Sequence, residues 1–157
     1  MARVGLISDT HGLLRAEAMA FLQGCDRIVH GGDIGDAGVL EQLSLLAPVT
    51  AVRGNNDRGA WADALAETEL FNVGGVSIYA LHDLAQLDIE PSAAGVHVVV
   101  SGHSHKPSVE RRGGVLYVNP GSAGPRRFSL PISIADLTIT GDSVAARVVT
   151  LGLTARE

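Results

Sequence analysis

Five short polar motifs follow apolar segments of the chain, and their order constrains the fold more than any other feature of the sequence. The apolar segments have the length and composition of buried β-strands, and the motifs begin where those segments end. Glycine occurs in most of the motifs, where it allows the backbone to turn sharply and approach a ligand. The chain therefore places acids, amides and imidazoles at successive strand ends, in the motifs Ser8-Asp9-Thr10-His11-Gly12, Gly32-Asp33, Gly54-Asn55-Asn56-Asp57, His82 and Gly102-His103-Ser104-His105.

Strand and helix patterns alternate in the first half of the chain. Apolar segments predict strands at residues 4–8, 27–30 and 49–52. Helical spacing predicts helices at residues 16–23 and from Asp36 or Gly38 onward, the second closed by Pro48. A β-α-β-α-β order favours parallel strands joined by right-handed crossovers.

The second half predicts mainly strands, largely antiparallel. Short glycine-containing turns separate three pairs of strand-like segments, which is typical of hairpins. Two sheets packed face to face, with helices outside, are the simplest architecture for residues 1–157 as a single domain. The predicted pairs are residues 69–73 with 76–82, 108–111 with 115–119, and 132–138 with 144–151, and one further strand covers residues 96–101.

Composition narrows the classes of function. The chain has 157 residues, of which 46% are hydrophobic and 18% charged, so it can bury a core and is not disordered. Its single cysteine, Cys25, excludes an intrachain disulfide and agrees with a cytoplasmic location. No segment approaches the roughly 20 apolar residues of a membrane span. The net charge of −5 argues against binding to extended nucleic acid.

The side chains in the motifs are those of a metal centre. Carboxyl ends of parallel strands share one edge of a sheet, so we expect the motifs to converge there. Carboxylate, amide and imidazole donors without thiolate suit Mn, Fe, Co, Ni or Zn. Seven donors are too many for one ion but fit two ions that share a carboxylate, an arrangement that can activate water and polarise a phosphoryl group. The seven candidates are Asp9, His11, Asp33, Asn55, His82, His103 and His105.

The ordered motifs resemble those of the calcineurin-like metallophosphoesterase superfamily, whose pattern is Asp-x-His, Gly-Asp, Gly-Asn, His and Gly-His-x-His. The chain is most similar to the small prokaryotic phosphodiesterase branch, which shares its short length. That branch also tends to carry Asn-Pro-Gly-Ser followed by Pro-Arg, present here as residues 119–122 and 125–126. The resemblance extends from about Val4 to Arg126. It implies a four-layer α/β/β/α sandwich with two mixed β-sheets.

The resemblance also implies roles for the candidate residues. The substrate would be a small-molecule phosphoester, and a hydroxide held between two divalent transition-metal ions, with Mn our first expectation, would attack phosphorus in line. Asp33 would bridge the ions, and Asp33, Asn55 and His103 would act directly in catalysis. The first ion would be held by Asp9, His11, Asp33 and His105, and the second by Asp33, Asn55, His82 and His103.

Two departures from the family pattern bear on the chemistry. Asn56 stands where the classical phosphatases have a histidine, and an amide cannot protonate a leaving group near neutral pH. Asp83 follows His82 where glycine is common, which could add an acceptor near the second ion. Asn56 is a candidate for substrate binding, and so is Arg126, with Arg127 as its alternative, because arginine binds phosphate oxygens bidentately.

The sequence favours a phosphodiesterase but leaves other functions open. A phosphomonoesterase or nuclease would use the same donors, and some members of the superfamily serve as scaffolds in protein assemblies after losing ligands. Exposed edge strands are compatible with a homo-oligomer. His30 is either an outer partner that orients Asp33 or a packed core histidine.

Overall fold

The computed structural model describes residues 1–152, which form ten strands in two five-stranded sheets. The predicted sandwich of two mixed sheets is confirmed. The strands are β1 (Ala2–Ile7), β2 (Arg27–His30), β3 (Val49–Ala51), β4 (Thr68–Val73), β5 (Val76–Leu81), β6 (Val98–Val100), β7 (Ser108–Arg112), β8 (Val115–Asn119), β9 (Ser133–Thr140) and β10 (Ser143–Thr150). The helices are α1 (Ala16–Leu22), α2 (Ala37–Ser44), α3 (Ala60–Asp63) and a 3₁₀ turn at Leu84–Gln86.

The first sheet has the order β10-β9-β1-β2-β3. As predicted, β1, β2 and β3 are parallel. The β9–β10 hairpin joins this sheet because β9 pairs antiparallel with β1. The Asp36 carboxylate accepts a hydrogen bond from the Gly38 amide and thereby caps α2, which decides between the two predicted starts of that helix.

The second sheet has the order β4-β5-β6-β8-β7. The predicted hairpins β4–β5 and β7–β8 are antiparallel, but β6 departs from the largely antiparallel arrangement expected for this half of the chain. Strand β6 lies parallel to both β5 and β8. The chain between β5 and β6 is too long for a hairpin and returns β6 in the same direction as β5. The β7–β8 hairpin then adds to the sheet through β8, with β7 at the edge. The second sheet therefore also has three parallel strands at its centre.

Apolar side chains form the core between the sheets and beneath the helices. Leu6, Val29, Ile78 and Leu116 belong to the layer between the sheets. Helices α1 and α2 cover the outer face of the first sheet. The outer face of the second sheet is covered more thinly, by leucines and an isoleucine around the 3₁₀ turn, so the fourth layer is mostly coil in the described residues. No helix within residues 1–152 is both long and apolar enough to cross a membrane.

Candidate metal centre

The carboxyl ends of six parallel strands, three from each sheet, meet at one end of the molecule. Hydrogen bonds between the loops show this convergence directly. The Gly102 amide donates to the carbonyl of His82, and the His103 amide donates to Asp9 Oδ2 at 3.1 Å. On the other side, the His82 ring nitrogen Nδ1 lies 2.7 Å from the carbonyl oxygen of Gly31. All five sequence motifs are thus brought to one site.

Five of the seven candidate ligands have a left-handed backbone. A positive φ is uncommon outside glycine and costs on the order of 1–3 kcal/mol per residue. Within residues 1–152, the only other non-glycine residue with this conformation is Phe128. Such strain persists only where surrounding contacts impose it, and it concentrates at functional sites. The five are Asp9 (φ 55°), His11 (46°), Asp33 (55°), His103 (71°) and His105 (62°).

Asp9, His11 and His105 form one potential ligand group, with one donor atom from each lying within 4.8 Å of the others. The Nε2 atoms of His11 and His105 are 3.3 Å apart, and His105 Nε2 is 3.5 Å from Asp9 Oδ1. The other Asp9 oxygen accepts a hydrogen bond from the Ser8 hydroxyl at 2.8 Å. Its Oδ1 is therefore left for a cation.

Asp9, Asp33 and His82 form a second group with the same spacing. His82 Nε2 lies 3.3 Å from Asp33 Oδ2, and that oxygen is also 3.8 Å from His11 Nε2. The hydrogen of His82 Nδ1 is donated to the Gly31 carbonyl, which turns Nε2 toward Asp33 and suits it for metal binding. Asp33 lies between imidazoles of both groups, as a bridging carboxylate would.

Asn55 and His103 lie at the exposed rim of the site. Both line a cleft that also borders His82, and the rings of His82 and His103 meet edge to face with centroids 5.2 Å apart. Asp83 is oriented by capping the 3₁₀ turn through the Ala85 amide, and its second oxygen is 3.8 Å from His103 Nε2. Asp83 is therefore close to the residues expected to hold the second ion.

The pKa values of the site residues indicate that a cation would be stabilised there. Burial raises the pKa of Asp9 to about 6, because a carboxylate is poorly solvated there. Burial acts to raise the pKa of Asp33, but the nearby His82 imidazole and the hydrogen bonds from Asn56 outweigh it and hold that pKa below its usual range. Burial and the charge of Arg127 lower the pKa of His105 to about 4, which keeps its imidazole neutral and available as a ligand.

The donor set fits transition-metal ions. Four buried side-chain polar atoms in the described residues have no hydrogen-bond partner: Asp9 Oδ1, Arg27 Nε, His82 Nε2 and His105 Nδ1. Two of them, Asp9 Oδ1 and His82 Nε2, belong to the potential ligand groups. An unpartnered buried polar atom is costly, and a bound cation would remove that cost. Mixed oxygen and nitrogen donors without sulfur are typical of Mn, Fe, Co, Ni or Zn.

Asn56 makes two hydrogen bonds to the Asp33 carboxylate. Its backbone amide donates to Asp33 Oδ1 at 2.9 Å, and its side-chain amide donates to Oδ2 at 3.0 Å. This arrangement gives Asn56 a positioning role that its predicted part in substrate binding did not include. The residue fixes both oxygens of the carboxylate that lies between the two ligand groups.

Arg126 is exposed and makes a hydrogen bond within its own loop. Its guanidinium donates to the Leu130 carbonyl at 3.4 Å. The charge of the neighbouring Arg127 instead acts on His105. Arg126 and its alternative Arg127 both stay candidates for binding a phosphate.

Two further residues, Asp57 and Asn119, support the loops of the site. The Asp57 carboxylate is buried and accepts hydrogen bonds from the backbone amides of Ile34, Gly35 and Gly54. Asn119 donates to the Gly102 carbonyl at 2.9 Å and so supports the last motif. Both braces join loops far apart in sequence. The only local signal was the position of Asp57 three residues after Gly54, where it can accept that amide.

His30 is a core residue that holds the Gly32-Asp33 turn. It is fully buried, accepts a hydrogen bond from the Gly32 amide through Nδ1, and lies 2.9 Å from the Thr10 hydroxyl through Nε2. The Thr10 hydroxyl donates to the Ile34 carbonyl, so His30 Nε2 carries the proton. Burial lowers the pKa of this imidazole to about 3.

We expect His30 to make the metal-free protein less stable in acid. Its pKa rises from about 3 in the folded chain to 6.5 on unfolding, so the unfolded state takes up a proton that the folded state refuses. Stability is then lost as pH falls below 6.5, by up to about 1.4 kcal/mol per pH unit. The raised pKa of Asp9 and the lowered pKa of His105 act in opposite directions between about 4 and 6 and largely cancel.

Urea unfolding of chelator-treated protein between pH 7 and 4.5 would measure this effect. His30→Asn keeps an acceptor for the Gly32 amide but cannot titrate. We expect the wild type to lose about 2–3 kcal/mol more than the variant over this range. Parallel pH dependences for the two proteins would contradict the assignment.

Comparisons with known proteins agree with this site. The model of the calcineurin-like phosphoesterase superfamily domain matches residues 2–142. A protein of Methanothermobacter thermautotrophicus named "Probable metallophosphoesterase" is 34% identical over 161 residues, covering 95% of this chain and 92% of that protein. Vacuolar Protein Sorting 29 from Cryptosporidium parvum has the same fold, with a TM-score of 0.82, 20% identity, and coverage of 96% of this chain and 92% of its own. A predicted phosphoesterase from Streptococcus pneumoniae superposes with a TM-score of 0.74 at 24% identity, over 95% of this chain and 89% of that one.

The matched region contains every candidate ligand, from Asp9 to His105. The archaeal relative is similar over nearly its whole length, so the similarity is not confined to the motifs. Metal dependence is a property of this family, and the described residues supply ligand groups for it. By sequence, fold and ligand arrangement, the chain belongs to the calcineurin-like phosphoesterase superfamily.

Proposed function

We propose that this protein is a metal-dependent phosphodiesterase that hydrolyses a small-molecule phosphoester at a two-ion site. The observation that carries the proposal is the pair of ligand groups sharing Asp9, with Asp33 between His11 and His82. Two divalent ions bound there would lower the pKa of a shared water and polarise a phosphoryl oxygen. Mn is our first expectation for both ions, and Fe, Co, Ni and Zn suit the same donors.

Different residues would bind each of the two ions and hold the carboxylates in position. Asp9, His11, Asp33 and His105 would hold one ion, and Asp33, Asn55, His82 and His103 the other. Hydrogen bonds to Asp33 from Asn56, and to Asp9 from Ser8, fix the carboxylates before any ion binds, which limits reorganisation during the reaction. Asn55 and His103, which line the cleft, would also contact a phosphoryl oxygen.

The proposal favours diesters and activated esters over general phosphatase activity. Asn56 replaces the histidine expected to protonate a leaving group, and its side-chain amide is already engaged with Asp33. The cleft beside the site measures about 360 Å³, a size typical of small-molecule pockets. The size of the cleft and the net charge of −5 both weigh against a nuclease.

Metal-dependent hydrolysis of bis-p-nitrophenyl phosphate would test the proposal. We expect chelator-treated protein to be inactive and activity to return with Mn, and in varying degree with Co, Ni or Zn. Release of p-nitrophenol measures the rate, and p-nitrophenyl phosphate serves as the monoester comparison and should react more slowly. Absence of turnover with every one of these ions would refute the proposal.

A non-catalytic scaffold is the second candidate, since the structure superposes on Vacuolar Protein Sorting 29. Loss of ligands would be expected of a scaffold, and this chain retains all seven candidates. Metal analysis separates the two functions. A stoichiometry well below two ions per chain after incubation with Mn would favour the scaffold.

A further inference from the structure

A cleft of about 360 Å³ opens beside the residues that would hold the second ion. It is lined on one side by Asn55, His82 and His103. The His82 side chain is only 6% exposed, and its Nε2 has no hydrogen-bond partner in the described part of the chain. The cleft is therefore continuous with the ligand site, and an ester held by the ions would extend its organic part into it.

Three of the four charged residues in the rest of the lining are acidic. Glu67, Asp83 and Asp88 contribute carboxylates, and Arg53 contributes the one guanidinium among the lining residues. Arg53 is already paired with Glu67, with its Nη2 3.3 Å from Glu67 Oε1. Asp83 has only the His103 imidazole near it, with Nε2 3.8 Å from its Oδ2, and Asp88 has no ion pair within the described residues. A cationic group in the cleft would be favoured and an anionic group opposed.

The type of cation follows from the side chains that line the cleft. Quaternary ammonium groups are recognised by aromatic rings, and none of the lining residues has a benzene or indole ring. The lining instead offers acceptor oxygens, including those of Asp83, Asp88 and Gln86. Acceptors of this kind match a primary ammonium group, which has three N–H donors and no acceptor.

We infer that the cleft selects phosphoesters whose organic part carries a primary ammonium group. This inference rests on the proposed function, because the ions would hold the phosphate while the carboxylates of the cleft hold the ammonium. The negative phosphate of the substrate would lie at the metal ions, and its positive ammonium group would lie at the carboxylates of the cleft. Asp83 and Asp88 are its specificity-determining residues.

A series of p-nitrophenyl esters with a common leaving group would test the inference. The second substituent would be aminoethyl, propyl, choline or carboxyethyl, so that only the group in the cleft changes. With Mn-loaded protein, we expect kcat/KM for the aminoethyl ester to exceed that for the propyl ester about tenfold, with the choline ester lower than aminoethyl and carboxyethyl slowest. The preference should shrink at high salt, because the carboxylates are partly exposed.

Variants of the cleft would link the preference to its carboxylates. Asp88→Asn should reduce kcat/KM for the aminoethyl ester roughly three- to fivefold more than for the propyl ester. The matched control is Asp142→Asn, in the β9–β10 turn at the opposite end of the sheet, which should change neither. An unchanged preference in Asp88→Asn, an equal rate for the choline ester, or faster hydrolysis of the carboxyethyl ester would overturn the inference.

A binding measurement separates this inference from the proposed function. Calorimetry with metal-loaded protein would compare aminoethylphosphonate with propylphosphonate, which cannot be hydrolysed. Tighter binding of the aminoethyl compound without turnover of any ester would refute the proposed function and support the selectivity of the cleft. Turnover of every ester, together with equal affinity for the two phosphonates, would support the proposed function and refute the selectivity of the cleft.

Discussion

Replacing Asp33 by asparagine is expected to remove metal binding and activity together. The substitution keeps the size of the side chain and one oxygen for the Asn56 amide, but it removes the charge that lies between His11 and His82. Metal ions contribute several kcal/mol of transition-state stabilisation, so the rate should fall on the order of 10³-fold or more. Elemental analysis for bound metal and turnover of bis-p-nitrophenyl phosphate would measure both effects.

Comparison with His105→Ala makes this prediction more specific. Asp33 is close to an imidazole of each ligand group, whereas His105 belongs only to the group with Asp9 and His11. We therefore expect Asp33→Asn to retain less than one ion per chain and His105→Ala to retain up to one. Asp142→Asn, far from the site, should keep both ions and full activity. Full metal occupancy with normal turnover in Asp33→Asn would exclude Asp33 as a bridging ligand.

The candidate ligands could be predicted because they obey a local rule. In a sheet of parallel strands, side chains that directly follow the strands share one edge, and this rule needs only the ends of the apolar segments. Asp9, Asp33 and His103 were found in this way, and the structure brings them together. His82 was expected on the same ground, and its hydrogen bond to Gly31 gives it the orientation of a ligand.

The remaining features depend on contacts between distant parts of the chain. The direction of β6 follows from its pairing with β5 and β8 on either side. No short turn in the sequence indicates these pairings. The different surroundings of Arg126 and Arg127 depend on how one exposed loop turns relative to His105. Such relationships leave no periodic signal in the sequence, because they are set by the packing of one element against another.

The strained backbone of the site shows how the fold compensates for local cost. Asp9, His11 and Asp33 adopt positive φ angles, which are sterically disfavoured for residues other than glycine. Hydrogen bonds between their loops hold them there: the Asp9 amide donates to the Gly32 carbonyl, and the His11 amide donates to the Asp33 carbonyl. Gly54 lies so close to Asp33 that a Cβ atom would collide with the Asp33 backbone. Loops this tightly tied set ligand positions before an ion arrives.

Asp57→Ala is accordingly expected to cause the largest loss of stability among the substitutions considered. Its carboxylate is 6% exposed and accepts three backbone hydrogen bonds, from Ile34 at 2.8 Å, Gly35 at 3.0 Å and Gly54 at 2.8 Å. Each buried amide left without an acceptor costs about 1–3 kcal/mol. The free energy of unfolding should fall by about 3–5 kcal/mol, measurable by urea unfolding of the metal-free protein.

The effect should extend to metal binding, since Ile34 and Gly35 follow Asp33 and Gly54 precedes Asn55. Asp57→Asn retains one acceptor oxygen and should lose roughly half as much stability, about 2 kcal/mol. Asp63→Ala, at an exposed aspartate a few residues further along the chain, should change stability by less than about 0.5 kcal/mol. If Asp57→Ala were as stable as Asp63→Ala and bound Mn as tightly as the wild type, the loops would be fixed by other contacts. A loss of Mn affinity that follows the loss of stability across Asp57→Asn and Asp57→Ala would instead show that this carboxylate aligns the two ligand loops.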